Sequence, residues 1–363
     1  MKKTVLERAF VRATKGLDRH VPRGAQNLWV SFREGCLCFA SISVGMQVLS
    51  RICSIEEKME EFEGKVSENL LGSLLKSIRG DPDLEVIYAN NSLELKTNDF
   101  TAKIPVSEED VDFPVELKKW RCDEDCVYSS DKIGRYIQDV SHVASQSETD
   151  LGEYSAAQKI EFFNSGVRVI CSSNRGTSVR SDADVNDSPM FSMVLPSNLL
   201  KEAVSMMDGP INFGVNRKND TIVIFNTEQD LFVKLQRISM KYPELGVLTR
   251  EFETKVYAYV SANAILQGIA LCQAVDSSFM ELHISKQSVS FMVKNVNGDS
   301  CYVSEAKTNM EDSLKVCVNS RLLLNAVKSM DGGLIVIELT NARKLFRLRD
   351  RSGSKEYLLP IRG

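Results

Sequence analysis

A chain of 363 residues exceeds what one ordinary hydrophobic core holds, so two or three domains are expected. Hydrophobic residues make up 43% and charged residues 26%, a globular composition, and no apolar run approaches the ~18 residues that span a bilayer. The net charge of −4 excludes nucleic-acid binding through bulk charge, so any phosphate contact must come from local basic faces. The opening MKKTVLERAF has no apolar stretch after its lysines and does not read as a secretion signal. With an odd number of cysteines, nine, this sets the expectation of reduced thiols in a cytoplasmic protein. Cys122 and Cys126 form a lone Cys-x3-Cys without a second pair or a nearby histidine, so no metal site is expected.

Residues 4–20 read as a helix. Leu6, Phe10, Ala13 and Leu17 form its apolar stripe. Arg8, Arg12, Lys15 and Arg19 repeat that spacing two residues out of phase, about 200° around the axis, and form a stripe of one sign. Residues 28–40 alternate as a hairpin about Arg33-Glu34-Gly35, 44–55 continue as strand, and 55–63 read as a charged connection. A leucine-rich helix follows, then strands at 84–88, 92–96 and 100–106 separated by Asn90-Asn91 and Asn98-Asp99 turns. The acidic stretch 107–125 reads as a linker.

Residues 129–144 predict a helix with Ile133, Ile137, Val140 and Ala144 inward. Arg135 and His142 lie on its other side, Lys132 lies at the edge, and His142 reads as a surface histidine. Residues 160–171 are a second hairpin, 172–188 read as polar and irregular, and 195–211 hold another leucine-rich helix. Strands are predicted at 211–215, 221–225 and 231–238, and a second linker at 241–253 around Tyr242-Pro243. Residues 261–275 form a helix with Ile265, Leu266, Ile269 and Cys272 inward, and 280–293 a third hairpin. The stretch 318–339 reads as a helix capped by Ser320, a glycine stop and a buried strand, with further strands closing the chain.

The leucine-rich helices are copies of one another. Ser197, Leu199, Leu200, Ala203, Val204, Met207, Asp208 and Gly209 each sit 123 positions before Ser320, Leu322, Leu323, Ala326, Val327, Met330, Asp331 and Gly332. A fainter copy places Leu70, Leu71, Leu74, Leu75, Ile78 and Gly80 a further 129 positions back. Three copies imply three tandem units of helix, hairpin strands, helix and strands, an α+β class with helices on antiparallel sheets. The expected domains are 1–121, 122–250 and 251–363.

Catalysis needs positioned groups, and the sequence offers none. His20, His142 and His283 fall in three different units, no glycine-rich phosphate loop occurs, and Asp208-Gly209 and Asp331-Gly332 read as helix ends. What remains is a repeat with a basic helical stripe, suited to sequence-independent phosphate contact.

In the order of its elements the chain resembles the bacterial-type DNA polymerase sliding clamp, the β-clamp processivity factor, in a divergent form. The residues that carry the resemblance are the threefold Leu-Leu helix ending in Gly and Thr101-Ala102-Lys103-Ile104-Pro105 with Asp112-Phe113-Pro114. To these add Phe232-Val233-Lys234-Leu235 with Lys241-Tyr242-Pro243-Glu244-Leu245, and the tail Tyr357-Leu358-Leu359-Pro360-Ile361-Arg362. The resemblance implies the three-domain DNA clamp fold and a head-to-tail homodimer forming a ring around duplex DNA. It also implies polymerase and clamp-loader partners, and neither cofactor nor catalysis. The expected DNA path includes Arg8, Arg12, Lys15 and Arg19 with Lys76, Arg79, Lys132, Arg135, Lys201 and Lys328. A partner-peptide pocket is implied at Ala157, Ser172, Asn174, Arg175, Gly176, Thr177, Pro243, Leu248, Tyr357, Leu359, Ile361 and Arg362. The dimer contact is implied at Phe100 and Ile104 against Leu271 and Cys272. Where the family has Thr-Asp-Gly-His-Arg-Leu, this chain has Ser172 to Thr177 without the final leucine, a divergence that suits a phage-encoded clamp with its own partner preference. The alternative reading is a monomeric peptide-docking scaffold of the same fold that does not bind DNA.

Overall fold

In a computed structural model of the chain, the described residues are 1–18, 26–53, 59–107, 127–144, 153–173, 175–182, 189–216, 221–239, 241–243, 252–276, 278–296, 298–330, 332–340, 346–359 and 361–362. Both predicted domain boundaries, 121/122 and 250/251, fall outside them. Among the described residues there are six α-helices: α1 (Lys3–Thr14), α2 (Glu68–Ser77), α3 (Ile133–Val140), α4 (Ser197–Ser205), α5 (Ala262–Gln273) and α6 (Ser320–Ser329). Apart from short 3-10 turns at Ser141–Val143 and Glu153–Ala156, the other regular elements are antiparallel strands, as the α+β reading requires.

The chain groups into two compact units, Met1–Asp131 with Leu199–Arg237, and Lys132–Asn198 with Ile238–Gly363. The first unit holds an eight-stranded sheet. Its order is Phe62–Ser67, Asn27–Arg33, Cys36–Ser43, Met46–Ile52, Leu231–Gln236, Thr221–Asn226, Ile211–Asn216 and Val127–Ser130. Strands from the first and second thirds of the sequence meet where Leu231–Gln236 pairs with Met46–Ile52. A separate three-stranded sheet, Glu85–Ala89, Ser92–Lys96 and Thr101–Pro105, turns at Asn90-Asn91, both at positive φ (50° and 53°), as a two-residue hairpin demands. α1 packs on strands Cys36–Ser43 and Met46–Ile52 and against α2. Leu6, Phe10, Leu28, Val30, Phe39, Leu71, Leu75, Leu93 and Ile104 form the core beneath, each large side chain contributing about 1.5–3 kcal/mol by its burial.

The second unit holds a nine-stranded sheet ordered Phe191–Pro196, Ala157–Phe163, Gly166–Ser173, Gly176–Ser181, Lys355–Leu359, Phe346–Asp350, Leu334–Leu339, Val256–Ser261 and Lys307–Thr308. Beside it is a five-stranded sheet ordered Gly298–Glu305, Ser288–Asn295, Phe279–Ile284, Leu314–Asn319 and Ile361–Arg362. α3 packs on strands Gly166–Ser173 and Gly176–Ser181, and α5 on Ser288–Asn295, on Gly298–Glu305 and against α6.

Several expectations are corrected. The connection at 55–63 ends in strand Phe62–Ser67, which pairs with Asn27–Arg33. The polar run 172–188 contains strand Gly176–Ser181, paired on both sides. Ser129 and Ser130 end strand Val127–Ser130 and do not begin a helix. The predicted helix over 4–20 stops at Thr14. The three strands among these are short and carry Ser or Gly, so little local periodicity marks them. Ser320 is not the cap of α6. Asn319 is, its side chain accepting from the Arg321 and Leu322 N–H groups (3.0 Å each). The repeated serine lies inside the helix start and is buried. Ser197 Oγ accepts from Gln158 Nε2 at 2.8 Å, and Ser320 Oγ from Gln273 Nε2 at 3.4 Å. The repeated glycine is not the helix stop: the helices end at Ser77, Ser205 and Ser329, and Gly80, Gly209 and Gly332 (φ of 72°, 77° and 77°) turn the chain three to four residues later.

Nor are all thiols reduced. Cys36 and Cys53 are disulfide-bonded across neighbouring antiparallel strands, one register step beyond the Leu37–Ile52 pair. An Arg51 Nη donates to both sulfurs at 3.1 Å. Cys38, Cys171, Cys272 and Cys301 are free, and Cys122 and Cys126 lie outside the described residues. No described helix is long and apolar enough to cross a membrane.

Candidate functional site

In the first unit, α1 buries Leu6, Ala9, Phe10 and Ala13 and turns Arg8, Arg12 and Lys15 the other way. Arg8 and Lys15 are exposed, as are Lys76, Arg79 and Lys201. Arg12 is different: its side chain is only 12% exposed, ion-paired with Asp208 at 3.6 Å and donating to Gln229 Oε1 at 3.0 Å. Burial, helped by the neighbouring Arg8 charge, lowers its pKa from the usual arginine range. Arg12 is thus engaged within the unit, leaving Arg8 and Lys15 as the open cations of the stripe. Arg19 lies outside the described residues.

In the second unit Lys132, Arg135 and Lys328 are exposed. Lys132 is held by Asp182, Nζ to Oδ1 at 3.1 Å. Asp182 also accepts from the Tyr136 hydroxyl (2.8 Å) and the Val167 N–H (3.1 Å). Burial pushes the Asp182 carboxyl up, but these donors outweigh it and the net pKa is lowered. Burial and the bond to Asp182 push the Tyr136 hydroxyl up to about 12. A carboxylate with a lowered folded pKa contributes stability above its unfolded pKa, and that contribution is lost as pH falls through the folded value. Asp182→Asn is therefore expected to lower Tm at pH 7, and the difference should shrink as pH falls through the lowered folded pKa of Asp182. A Tm difference that persists unchanged into acid would contradict this account.

The predicted pocket residues gather at a seam in the nine-stranded sheet. Thr177 pairs with Leu358 and Ser178 with Tyr357, while Ser172 pairs with Thr177 and Ser173 with Gly176. Ser172 and Thr177 hydroxyls are bonded at 2.8 Å, Ser173 Oγ donates to the Val143 carbonyl at 2.6 Å, and Arg175 is exposed beside them. Gly176 has φ 129°, and a Cβ there would lie 2.4 Å from the Leu358 carbonyl oxygen, so its lack of a side chain lets the two strands close. Ala157, Tyr357 and Leu359 are buried. Pro243 is half-buried and follows Tyr242, which packs with Ala157, Ile170, Val179 and Val194 and donates to the Ala157 carbonyl at 3.5 Å. Burial raises the Tyr242 pKa. Asn174 and Leu248 lie outside the described residues. Ile361 and Arg362 pair through their backbone with Val318 and Cys317, in the five-stranded sheet.

Two seam residues escaped sequence reasoning. His142 stacks on Tyr357 with ring centroids 5.0 Å apart, whereas a polar helix face suggested solvent. Asp139 lies between the buried Lys355 (3.1 Å) and Arg180 (3.4 Å), bracing α3 against the strands on both sides of the seam. Only their position relative to residues about forty to two hundred places away reveals either.

No protein-family model and no curated protein sequence matches this chain. Solved structures do. The DNA polymerase III subunit beta of Pseudomonas aeruginosa aligns over 100% of this chain and 98% of its own, with a TM-score of 0.86 at 12% identity. That of Thermotoga maritima aligns over 100% and 98%, TM-score 0.82 at 13% identity. The Helicobacter pylori beta clamp, solved bound to a DNA ligase peptide, aligns over 99% and 97%, TM-score 0.80 at 15% identity. This chain has the fold of the bacterial DNA polymerase sliding clamps. The clamp fold is thus kept over the full chain at an identity where side chains at equivalent places have largely changed.

The clamp fold also bears on the predicted dimer residues. Ile104 and Cys272 are fully buried. Phe100 is half-buried against the first core, and Leu271 is 45% exposed. Strands Thr101–Pro105 and Gly298–Glu305 lie at sheet edges, the second with Cys301 and Val303 exposed.

Proposed function

We propose that this chain is a DNA polymerase processivity factor: a ring-shaped homodimer of three clamp domains per protomer. It encircles duplex DNA, slides without reading sequence, and tethers a polymerase without catalysing a reaction. The observation that carries this reading is the full-length likeness to sliding clamps. The exposed, single-sign set Arg8, Lys15, Lys76 and Arg79 supports it, since cations without base-reading partners suit phosphate contact. Edge strands Thr101–Pro105 and Gly298–Glu305 are the natural pair for a head-to-tail contact, because each leaves one side of its backbone unpaired in its sheet. Partner peptides, including those of a polymerase and a clamp loader, dock beside Arg175, Pro243 and the Gly176–Leu358 seam. The changed Ser172–Thr177 loop gives them a preference of their own.

The test is topological. Protein assembled on a nicked circular plasmid should co-elute with it through gel filtration and be lost once the plasmid is linearised. Light scattering should give twice the chain mass, and particle images a ring. Equal retention on circular and linear DNA overturns encirclement. A monomer that binds peptides and ignores DNA establishes the docking-scaffold reading instead.

A further inference from the structure

A groove of about 1110 Å³ opens on the face of strands Val256–Ser261 and Leu334–Leu339, and none of its lining residues belongs to the Gly176–Leu358 seam. Its floor is Tyr257, Tyr259, Leu334 and Val336. The two tyrosine rings meet edge to face, 5.5 Å apart at 73°, and both are half-buried. Around the floor stand Lys307, Arg349 and Arg351, against one carboxylate, Glu305. Arg349 shares the buried Glu338 with Arg347, at 3.1 Å and 2.7 Å. Lys307 and Arg351 are exposed and make no ion pair among the described residues.

The outward sheet face of the first unit shows that such a floor need not stay open. There Trp29, Phe225, Phe232, Cys36 and Cys38 fill one another into a closed apolar cluster. At Tyr257 and Tyr259 a half-buried aromatic surface stays open, with Lys307 and Arg351 exposed at its rim. Half-buried tyrosines and an exposed leucine with two unpaired cations at their rim make an amphipathic docking surface, aromatic anchors at its centre and charge at its edge.

We infer that this groove binds a linear acidic peptide segment of a partner protein, with apolar side chains on the tyrosine floor and carboxylates toward Arg351 and Lys307. Charge complementarity selects the acidic peptide: Arg349 is already held by Glu338, but Lys307 and Arg351 stay open at the rim against one lining carboxylate, Glu305. The volume exceeds the roughly 300–1,000 Å³ typical of small-ligand pockets. Single-stranded nucleic acid would also meet cations and aromatics, but successive bases stack on ring faces, and two rings 73° apart do not offer parallel platforms. The exposed aliphatic side chain of Leu334 suits peptide side chains.

The probe is a fluorescein-labelled dodecapeptide of alternating acidic residues with Leu and Phe, titrated with the full-length protein at low salt and followed by anisotropy. Saturable binding is expected, weakened about tenfold or more by Lys307→Glu with Arg351→Glu. It should also weaken in Tyr259→Ala and be unchanged in Arg175→Glu, which lies at the seam. Lys307 and Arg351 are exposed, so their reversal leaves the fold intact, as circular dichroism should verify. No saturable binding, binding indifferent to the double reversal, loss in Arg175→Glu, or tighter binding of labelled oligo(dT) would each overturn the assignment.

Discussion

Alanine at Arg8, Lys15, Lys76 and Arg79 together is expected to flatten the salt dependence of duplex binding while leaving the fold intact. All four are exposed and none is part of the first unit's core. Each phosphate contact removed lowers the slope of log K against log salt by about 0.9, so four contacts on each protomer of the dimeric ring lower it by up to about 7. Over a rise from 50 to 200 mM salt, the unsubstituted protein should lose up to roughly four orders of magnitude more affinity than the variant. The measurement is a set of binding isotherms on a nicked circle at several salt concentrations. An unchanged slope would remove these helices from the DNA path. Arg12→Ala alone serves as a contrast. Because Arg12 is held by Asp208 and Gln229, its loss should appear in thermal stability more than in the slope.

Gly176→Val is expected to be the most damaging single substitution at the candidate partner site. The new Cβ would meet the Leu358 carbonyl oxygen at 2.4 Å, and φ of 129° is closed to a β-branched residue. Backbone strain and loss of the Thr177–Leu358 pairing together should cost about 3 kcal/mol or more. For a unit of this size that corresponds to roughly 6–12 °C in Tm. Gly80→Ala is the control: its φ of 72° is also left-handed, but the added methyl meets nothing within 4 Å, and about 1 kcal/mol is expected. Calorimetry on both variants decides it. Equal losses would mean that the close approach of the two strands contributes nothing. Partner-peptide binding should fall with Gly176→Val and survive in Gly80→Ala.

Much of the fold was legible because it is encoded within a few residues. The spacing of Leu6, Phe10 and Ala13 marks the buried side of α1, Asn90-Asn91 marks a tight hairpin, and the Leu-Leu helix followed by glycine marks the repeat. Each signal rests on side chains three or four positions apart on a helix, or two apart on a strand. The exposed cations on α1 and α2 were legible for the same reason, since they are simply the faces opposite the buried ones.

The sequence by itself thus determined the helices, most hairpins, the threefold repeat and the basic stripe. The tertiary structure alone decided which of those residues are free to act. Arg12 belongs to the stripe by spacing, but Gln229, 217 positions away, and Asp208 claim it. The repeated serine looks like a cap, but a glutamine from another element reaches it in both copies resolved this way. Gly176 has a role only because strand Lys355–Leu359 lies beside it. Cys36 finds Cys53 through strand register, and Tyr257 and Tyr259 gain their cations from Lys307, Arg349 and Arg351. Periodicity is a short-range property of the chain, whereas pairing, ion partnership and the closing of a seam depend on which distant strands become neighbours, a choice made by the packing of the whole unit.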